Sequence, residues 1–275
     1  MHFSALLIYY FRNVKKYKGY LYYFLYWLLF FAIARAAFLL YHFQLTRTLS
    51  GGEIFKTFLY GLRMDASFTA YICLFPFLLL LIKSFSVHLP INKIIRIYTY
   101  VLVIIISFLI IADLGLYTAW GYRMDATPLQ YFKSPKEMGA TISSAPVFSL
   151  LLIFIVLAVI YIFIYKKYFN PYIDRAQKKF HIADSFFSLF LLAFLFIPIR
   201  GGIQKIPMII SDVYFSQKIF ADHAAINLPW NITFSILNQH NPHNPFDYFS
   251  KEKSEQLVNS LYDMGPLRIP SILSV

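Results

Sequence analysis

The sequence predicts an all-α integral membrane protein: five transmembrane helices, interfacial helices, and an extracytoplasmic C-terminal linker of helical and irregular structure. Three observations predict it. Of 275 residues, 59% are hydrophobic and only 14% charged, where soluble globular domains run about 45–50% and about 25%. Mean hydropathy is positive, +0.59. Five apolar stretches approach the roughly 20 residues that a helix needs to cross the hydrocarbon core. Together these exclude a soluble enzyme, a disordered tail and a coiled coil. Cys73 is the single cysteine, so no internal disulfide framework is possible.

The first stretch, Tyr20–Tyr41, contains Ala34-Arg35-Ala36, which looks like a signal-peptide cleavage site. Its apolar run is longer than an ordinary signal segment and continues past that site, so it reads as an uncleaved anchor. Gly51–Leu62 then places Ile54, Phe55, Phe58, Leu59 and Leu62 at helical spacing, the pattern of a helix lying along the interface. The second and third spans are Ala66–Ile82 and Ile97–Tyr117. Ser134-Pro135-Lys136-Glu137 has a capping-box pattern with proline at the first helical position and predicts a short helix ending before Pro146. The fourth span is Val147–Tyr165; the fifth, Ser185–Ile199, is short, but Ile182 and Ala183 can extend it. Inside lipid no water serves the backbone, so each span must be helical. From Gly201 the chain turns polar. Ser250 can cap a helix over Lys251–Leu261, with a narrow apolar face of Leu257, Val258 and Leu261. The predicted division is a transmembrane domain over residues 1–200 and a juxtamembrane linker over residues 201–275.

Loop charge sets the predicted orientation. With the N-terminus in the cytoplasm, inside segments hold twelve basic residues: Arg12, Lys15, Lys16, Lys18, Lys83, Lys93, Arg96, Lys166, Lys167, Arg175, Lys178 and Lys179. Outside loops hold six: Arg47, Lys56, Arg63, Arg123, Lys133 and Lys136. The excess favours the N-terminus inside, and five spans then place the C-terminus outside. The net charge of +12 thus suits anionic lipid; membrane lipid is the expected partner, and nucleic acid is not.

Two charges lie within spans, Arg35 and Asp113. Each costs about 2.5–3.5 kcal/mol at mid-bilayer on the insertion scale and needs a partner or water. Both fall near the outer ends of outward-running spans, which predicts an intramembrane ion pair, made directly or through one intermediary; separate snorkelling to the interface is the alternative. A short echo is also present. Gly61-Leu62-Arg63-Met64-Asp65-Ala66-Ser67 recurs as Gly121-Tyr122-Arg123-Met124-Asp125-Ala126-Thr127. Arg and Asp two apart point about 200° from each other on a helix, so neither copy is a self-contained pair. Arginine suits phosphate, so Arg63, Asp65, Arg123, Asp125 and Arg200 are candidate contacts to lipid head groups; the bland alternative is interfacial anchoring. Asp222-His223 and His240-Asn241-Pro242-His243 show no closed set of metal ligands. Asn231-Ile232-Thr233 matches the common glycosylation sequon. No catalytic residue or metal site is visible in the chain itself.

Taken together, several motifs resemble the N-terminal membrane region of lipoteichoic acid synthase-like proteins, the phosphoglycerol and phosphoethanolamine transferases of the sulfatase/alkaline-phosphatase superfamily. The resemblance covers roughly residues 20–250. It rests on the two Gly-x-Arg-Met-Asp copies, Asp113, Tyr131 and the Ser134–Glu137 helix start. Its most specific part is Arg200-Gly201-Gly202-Ile203-Gln204-Lys205-Ile206-Pro207, followed by Tyr214-Phe215-Ser216, Asp222-His223-Ala224-Ala225-Ile226-Asn227 and Trp230-Asn231. The resemblance implies a bacterial cytoplasmic-membrane anchor joined to an extracytoplasmic catalytic domain. That domain would use a threonine nucleophile and a divalent metal to move a phospho-head group from lipid to an envelope glycan or polymer. Here no threonine follows Thr233 and only Tyr262–Val275 follow Leu261. The expectation is therefore an anchor and lipid-presenting module, inactive alone, its catalytic domain missing or separately encoded. The rivals are a small transporter or channel subunit, and a non-catalytic partner of an envelope enzyme.

Overall fold

The computed structural model describes residues 2–83, 90–128, 146–171, 182–239 and 249–262. Among these the chain is helical throughout its regular structure, with no strand. The helices are α1 (His2–Tyr41), α2 (Phe43–Thr46), α3 (Gly51–Lys83), α4 (Ile91–Trp120), α5 (Val147–Ile164, running into a π-turn at Tyr165–Phe169), α6 (Ile182–Phe194), α7 (Phe196–Ile199), α8 (Ile219–Ala225), α9 (Leu228–Gln239) and α10 (Lys251–Tyr262). Four segments are long and apolar enough to cross a membrane: Lys18–Tyr41, Gly51–Ile82, Ile91–Trp120 and Val147–Phe169; Ser185–Ile199 is a shorter apolar helix. The predicted helix over Ser134–Glu137, with Tyr131, His240 and His243, lies outside the described residues.

Helix α1 is the hub, and tyrosines make it so. Tyr20, Tyr23 and Tyr26 recur at three-residue spacing, which keeps them near one face, and each is buried. The Tyr20 hydroxyl bonds Ser188 Oγ on α6 at 2.8 Å, and Tyr23 bonds Thr99 Oγ1 on α4 at 3.0 Å. Tyr26 donates to the Tyr161 carbonyl on α5 while Tyr161 donates back to the Phe30 carbonyl, each at 3.2 Å. Each ring thus buries an aromatic body and lands its polar tip on a neighbouring helix.

Helix α3 departs from its predicted boundaries. An interfacial helix over Gly51–Leu62 and a span from Ala66 were expected; instead one helix of 33 residues covers both. Asp65, just before the predicted start of the span, turns inward to a cation, and the helix runs on through it. The N-terminus is held by a reciprocal capping box: Ser50 N–H donates to Glu53 at 2.7 Å and Glu53 N–H to Ser50 Oγ at 3.2 Å. The Ser-x-x-Glu signal was legible. Farther along, Pro76 lies inside α3 and removes the N–H that would serve the Ile72 carbonyl. The Tyr98 hydroxyl on α4 donates to that carbonyl instead, at 3.0 Å.

Helices α6 and α7 run antiparallel to α3. Near their start Ser188 bonds Tyr20, whose ring packs edge-on to Phe77 at 4.7 Å. At their end the Ile199 carbonyl accepts from Ser67 Oγ at 2.9 Å. Beyond Ile199 the chain folds back onto the same end of the bundle. Phe220, Ala221 and Ala224 of α8 join Phe38, Leu39, Leu49, Ile111, Leu114 and Tyr117 in one apolar cluster. Met208, Val213, Ala225, Ile226 and Trp230 enclose Met64 in another. The described residues from Leu237 onward belong to a separate unit. Its helix α10 is capped as expected, with Lys253 N–H donating to Ser250 Oγ at 3.4 Å, and Leu257 and Val258 are exposed.

Candidate functional site

Two ion pairs sit where the C-terminal ends of α1 and α4 and the middle of α3 meet α8 and the residues just after it. Arg35 reaches from α1 to Asp65 on α3 and donates to both carboxylate oxygens at 2.8 Å. Both side chains are almost wholly buried, 3% and 4% exposed. The other guanidinium edge donates to the Ala224 and Ala225 carbonyls at 3.3 and 3.2 Å. Asn227 completes the group, its amide donating to Asp65 at 2.9 Å. A Cβ on Gly61 would overlap the Arg35 guanidinium, so only glycine lets the cation lie against α3. One guanidinium nitrogen shared between both carboxylate oxygens, and the other between two carbonyls, give the buried pair hydrogen bonds that offset part of its desolvation.

The second pair joins Asp113 of α4 to Arg123 just beyond it, at 3.2 Å. Gly121 ends α4 with φ +72° and bonds back to Tyr117 at 2.9 Å, which turns the chain so that Arg123 returns to the helix. Met124 N–H donates to Asp113 at 2.7 Å, and the Arg123 guanidinium stacks 4.1 Å over Phe38. Burial favours the neutral form of Arg123, and Asp113 opposes that. Beside it His42 sits in an aromatic cage of Phe38, Tyr41, Tyr117 and Phe220. Burial, then Arg123, brings its pKa down to about 4. The same two causes lower His223, with Asp222 opposing; its Nδ1 lies 3.0 Å from the Tyr117 hydroxyl.

The predicted Arg35–Asp113 ion pair is therefore corrected. Arg35 takes the aspartate of the first echo copy and Asp113 takes the arginine of the second. The physical reason differs between the copies: on α3 the 200° separation turns Asp65 to the core and Arg63 away from it, whereas the second copy lies past the end of α4, where the turn at Gly121 brings Arg123 back to Asp113. The other charge of each copy points elsewhere. Arg63 donates to the Gly201 carbonyl at 2.7 Å and to the Gln204 side chain, with Asp212 at 4.0 Å. Asp125 caps its own turn through Thr127 N–H at 2.8 Å. Arg200 donates to the carbonyls of Gln204 and Lys205 at 3.2 and 2.7 Å. The five candidate head-group residues thus divide into two interior groups, Asp65 and Arg123, two at the loop after α7, Arg63 and Arg200, and one local cap.

Arg35, Asp65, Asp113, Arg123 and Asn227 line one cavity of about 20 Å³. That is room for about one water molecule, far below the roughly 300–1,000 Å³ of a ligand pocket. Among the described residues no three His, Cys, Asp or Glu side chains gather to hold a metal ion. Asn231 of the sequon is buried, its amide donating to the Met124 carbonyl at 3.0 Å. Asn227 escaped sequence reasoning although its motif stood out; nothing in sequence ties it to Asp65, 162 positions away.

What fold and site define is a class: a chain that is helical and without strands among the described residues, with four helices long and apolar enough to cross a membrane and a following segment locked to them by buried charges. Compared with protein-family models, with curated proteins and with solved structures, the chain matches none.

Proposed function

We propose that this chain is the membrane anchor and lipid-presenting module of a lipoteichoic acid synthase-like transferase of the sulfatase family, in a bacterial cytoplasmic membrane. In this reading five helices cross, the N-terminus is cytoplasmic and residues from Gly201 onward are extracytoplasmic. The observation that carries it is the Arg35 clamp, which ties α1 and α3 to the Ala224 and Ala225 carbonyls. A segment leading out of a membrane bundle toward a catalytic domain needs such fixation, because a slack tether does not hold an active site at one height above the lipid. Head-group contact falls to Arg63 and Arg200, which reach the surface; Asp65 and Arg123 are structural.

The test reconstitutes the purified chain with head-group-labelled phosphatidylglycerol or phosphatidylethanolamine. The expected outcome is lipid binding weakened by Arg63→Gln or Arg200→Gln, with no release of label. Turnover by the chain alone, or binding indifferent to both arginines, overturns the reading. The transporter alternative draws on the buried charges lining a cavity. All four are already paired, two cations against two carboxylates, and solute flux in proteoliposomes is the measurement that would favour it.

A further inference from the structure

The loop that leaves α7 spends its hydrogen bonds on holding two isoleucines outward. Met208 N–H bonds the Arg200 carbonyl at 3.2 Å and closes the loop at its base, the form of a small Ω-loop. Gly201 and Met208 touch there, since a Cβ on Gly201 would come within 2.8 Å of the Met208 Cβ. Two arginines brace the interior: Arg63 holds the Gly201 carbonyl and the Gln204 side chain, and Arg200 holds the Gln204 and Lys205 carbonyls. Asp212 closes the base from the far side through Ile209 N–H at 3.1 Å. At the tip Ile203 is 93% exposed and Ile206 71%, with Lys205 between them also exposed. A loop this well tied does not show two large apolar side chains for want of a way to fold them in.

We propose that this loop is a preformed wedge that enters the leaflet in which α7 ends, Ile203 and Ile206 lying among acyl chains and Lys205 among the phosphates of anionic lipid. The inference rests on reading Ser185–Ile199 as a membrane helix. Three observations select lipid over a protein partner. The tip follows directly from that helix, whose Phe190, Phe194 and Phe196 are exposed, so the apolar surface continues from helix to loop. Local charge is three cations, Arg63, Arg200 and Lys205, to one carboxylate, Asp212, which complements an anionic surface. Apolar side chains beside a lysine at a span end are the arrangement that snorkelling serves, the stem in hydrocarbon and the ammonium among head groups. Because the loop is already fixed, insertion costs little ordering.

The test uses single spin labels in nanodiscs, in a Cys73→Ala background, at Ile203→Cys, Gln217→Cys and Phe190→Cys. Collision with oxygen reports lipid, and collision with a water-soluble nickel chelate reports solvent. The expected result is an Ile203 label that favours oxygen several-fold over the exposed Gln217 label, deeper with phosphatidylglycerol than with phosphatidylcholine alone. Lys205→Gln is expected to reduce that dependence on lipid charge. If the Ile203 label is as wet as Gln217 while Phe190 reports lipid, the wedge is overturned and the membrane helix stands. If Phe190 is wet too, both fall. Protection of Ile203 only on adding another protein also overturns the wedge, and equal depth in both lipids overturns the role of Lys205.

Discussion

At Gly61 the side chain matters by being absent. Its α-carbon faces the Arg35 guanidinium so closely that Gly61→Ala is expected to push the cation off Asp65. Breaking a buried pair by removing one partner costs about 3–5 kcal/mol, whereas replacing both with apolar groups costs far less. Asp65→Leu and Gly61→Ala should therefore each lower the unfolding midpoint sharply in detergent melts, and Arg35→Met with Asp65→Leu should recover much of the loss. Equal melting of single and double variants would show that the pair is not coupled. The histidine cage makes a pH prediction. His42 is neutral in the folded chain down to about pH 4, while the unfolded chain takes a proton near the ordinary value of 6.5. Below that value the unfolded state binds more protons, so stability falls with falling pH, by up to about 1.4 kcal/mol per unit, and levels off below about pH 4. His223 adds in the same direction. His42→Phe should flatten the slope between pH 6.5 and 4; an unchanged slope would remove His42 as its source. Sequence showed that these charges needed partners, because a charge in a span always does. It did not show which partners, since two arginines and two aspartates at similar depth allow both pairings, and packing of the segment after α8 decides between them.

Helices are where sequence reading held best and where its boundaries slipped. Apolar length located the four helices that are long and apolar enough to cross a membrane, because a segment that apolar satisfies its backbone as a helix. The expected helix over Gly51–Leu62 and the span from Ala66 fall in one continuous α3, because Asp65 between them faces a cation in the core and does not interrupt the helix. Pro76 carries a sharper prediction. Its orphaned Ile72 carbonyl is served by Tyr98 from the neighbouring helix. Tyr98→Phe is expected to cost about 1 kcal/mol, within the range for one buried bond in a membrane protein. In a Pro76→Ala background the α3 backbone can serve its own carbonyl, so the same substitution should cost less. A double-mutant cycle by thermal unfolding reads the difference directly, and a cycle with no coupling would mean that the hydroxyl bond does not stand in for the missing N–H. Neither residue advertises the other, because the link depends on helix register and spans 26 positions.

For the whole molecule the open quantity is the number of crossings, and the direction of α6 and α7 argues for five. Their start lies beside Tyr20 and Phe77 and their end beside Ser67, so they run antiparallel to α3 from near its C-terminal end to its middle, and the chain beyond them reaches Arg35 near the far end of α1. From Ile182 to Ile199 they span about 27 Å at 1.5 Å per residue, near the roughly 30 Å of hydrocarbon. Five crossings place Lys93, at the start of α4, and Gln217, before α8, on opposite sides; four crossings place them on the same side. Both positions are exposed, and the native Cys73 is fully buried, so single cysteines at each can be read with an impermeant maleimide. In right-side-out vesicles Gln217→Cys should label at once, and Lys93→Cys only after the membrane is opened. Labelling of both before opening, or of neither, would reduce the count to four and put the Arg35 clamp on a segment that never leaves the first side. The opposite pattern, Lys93 first, would keep five crossings and reverse the orientation inferred from the twelve-to-six distribution of basic residues. The Ile203 wedge survives that reversal, because it follows the end of α7 into whichever leaflet that helix reaches; the extracytoplasmic transferase reading does not.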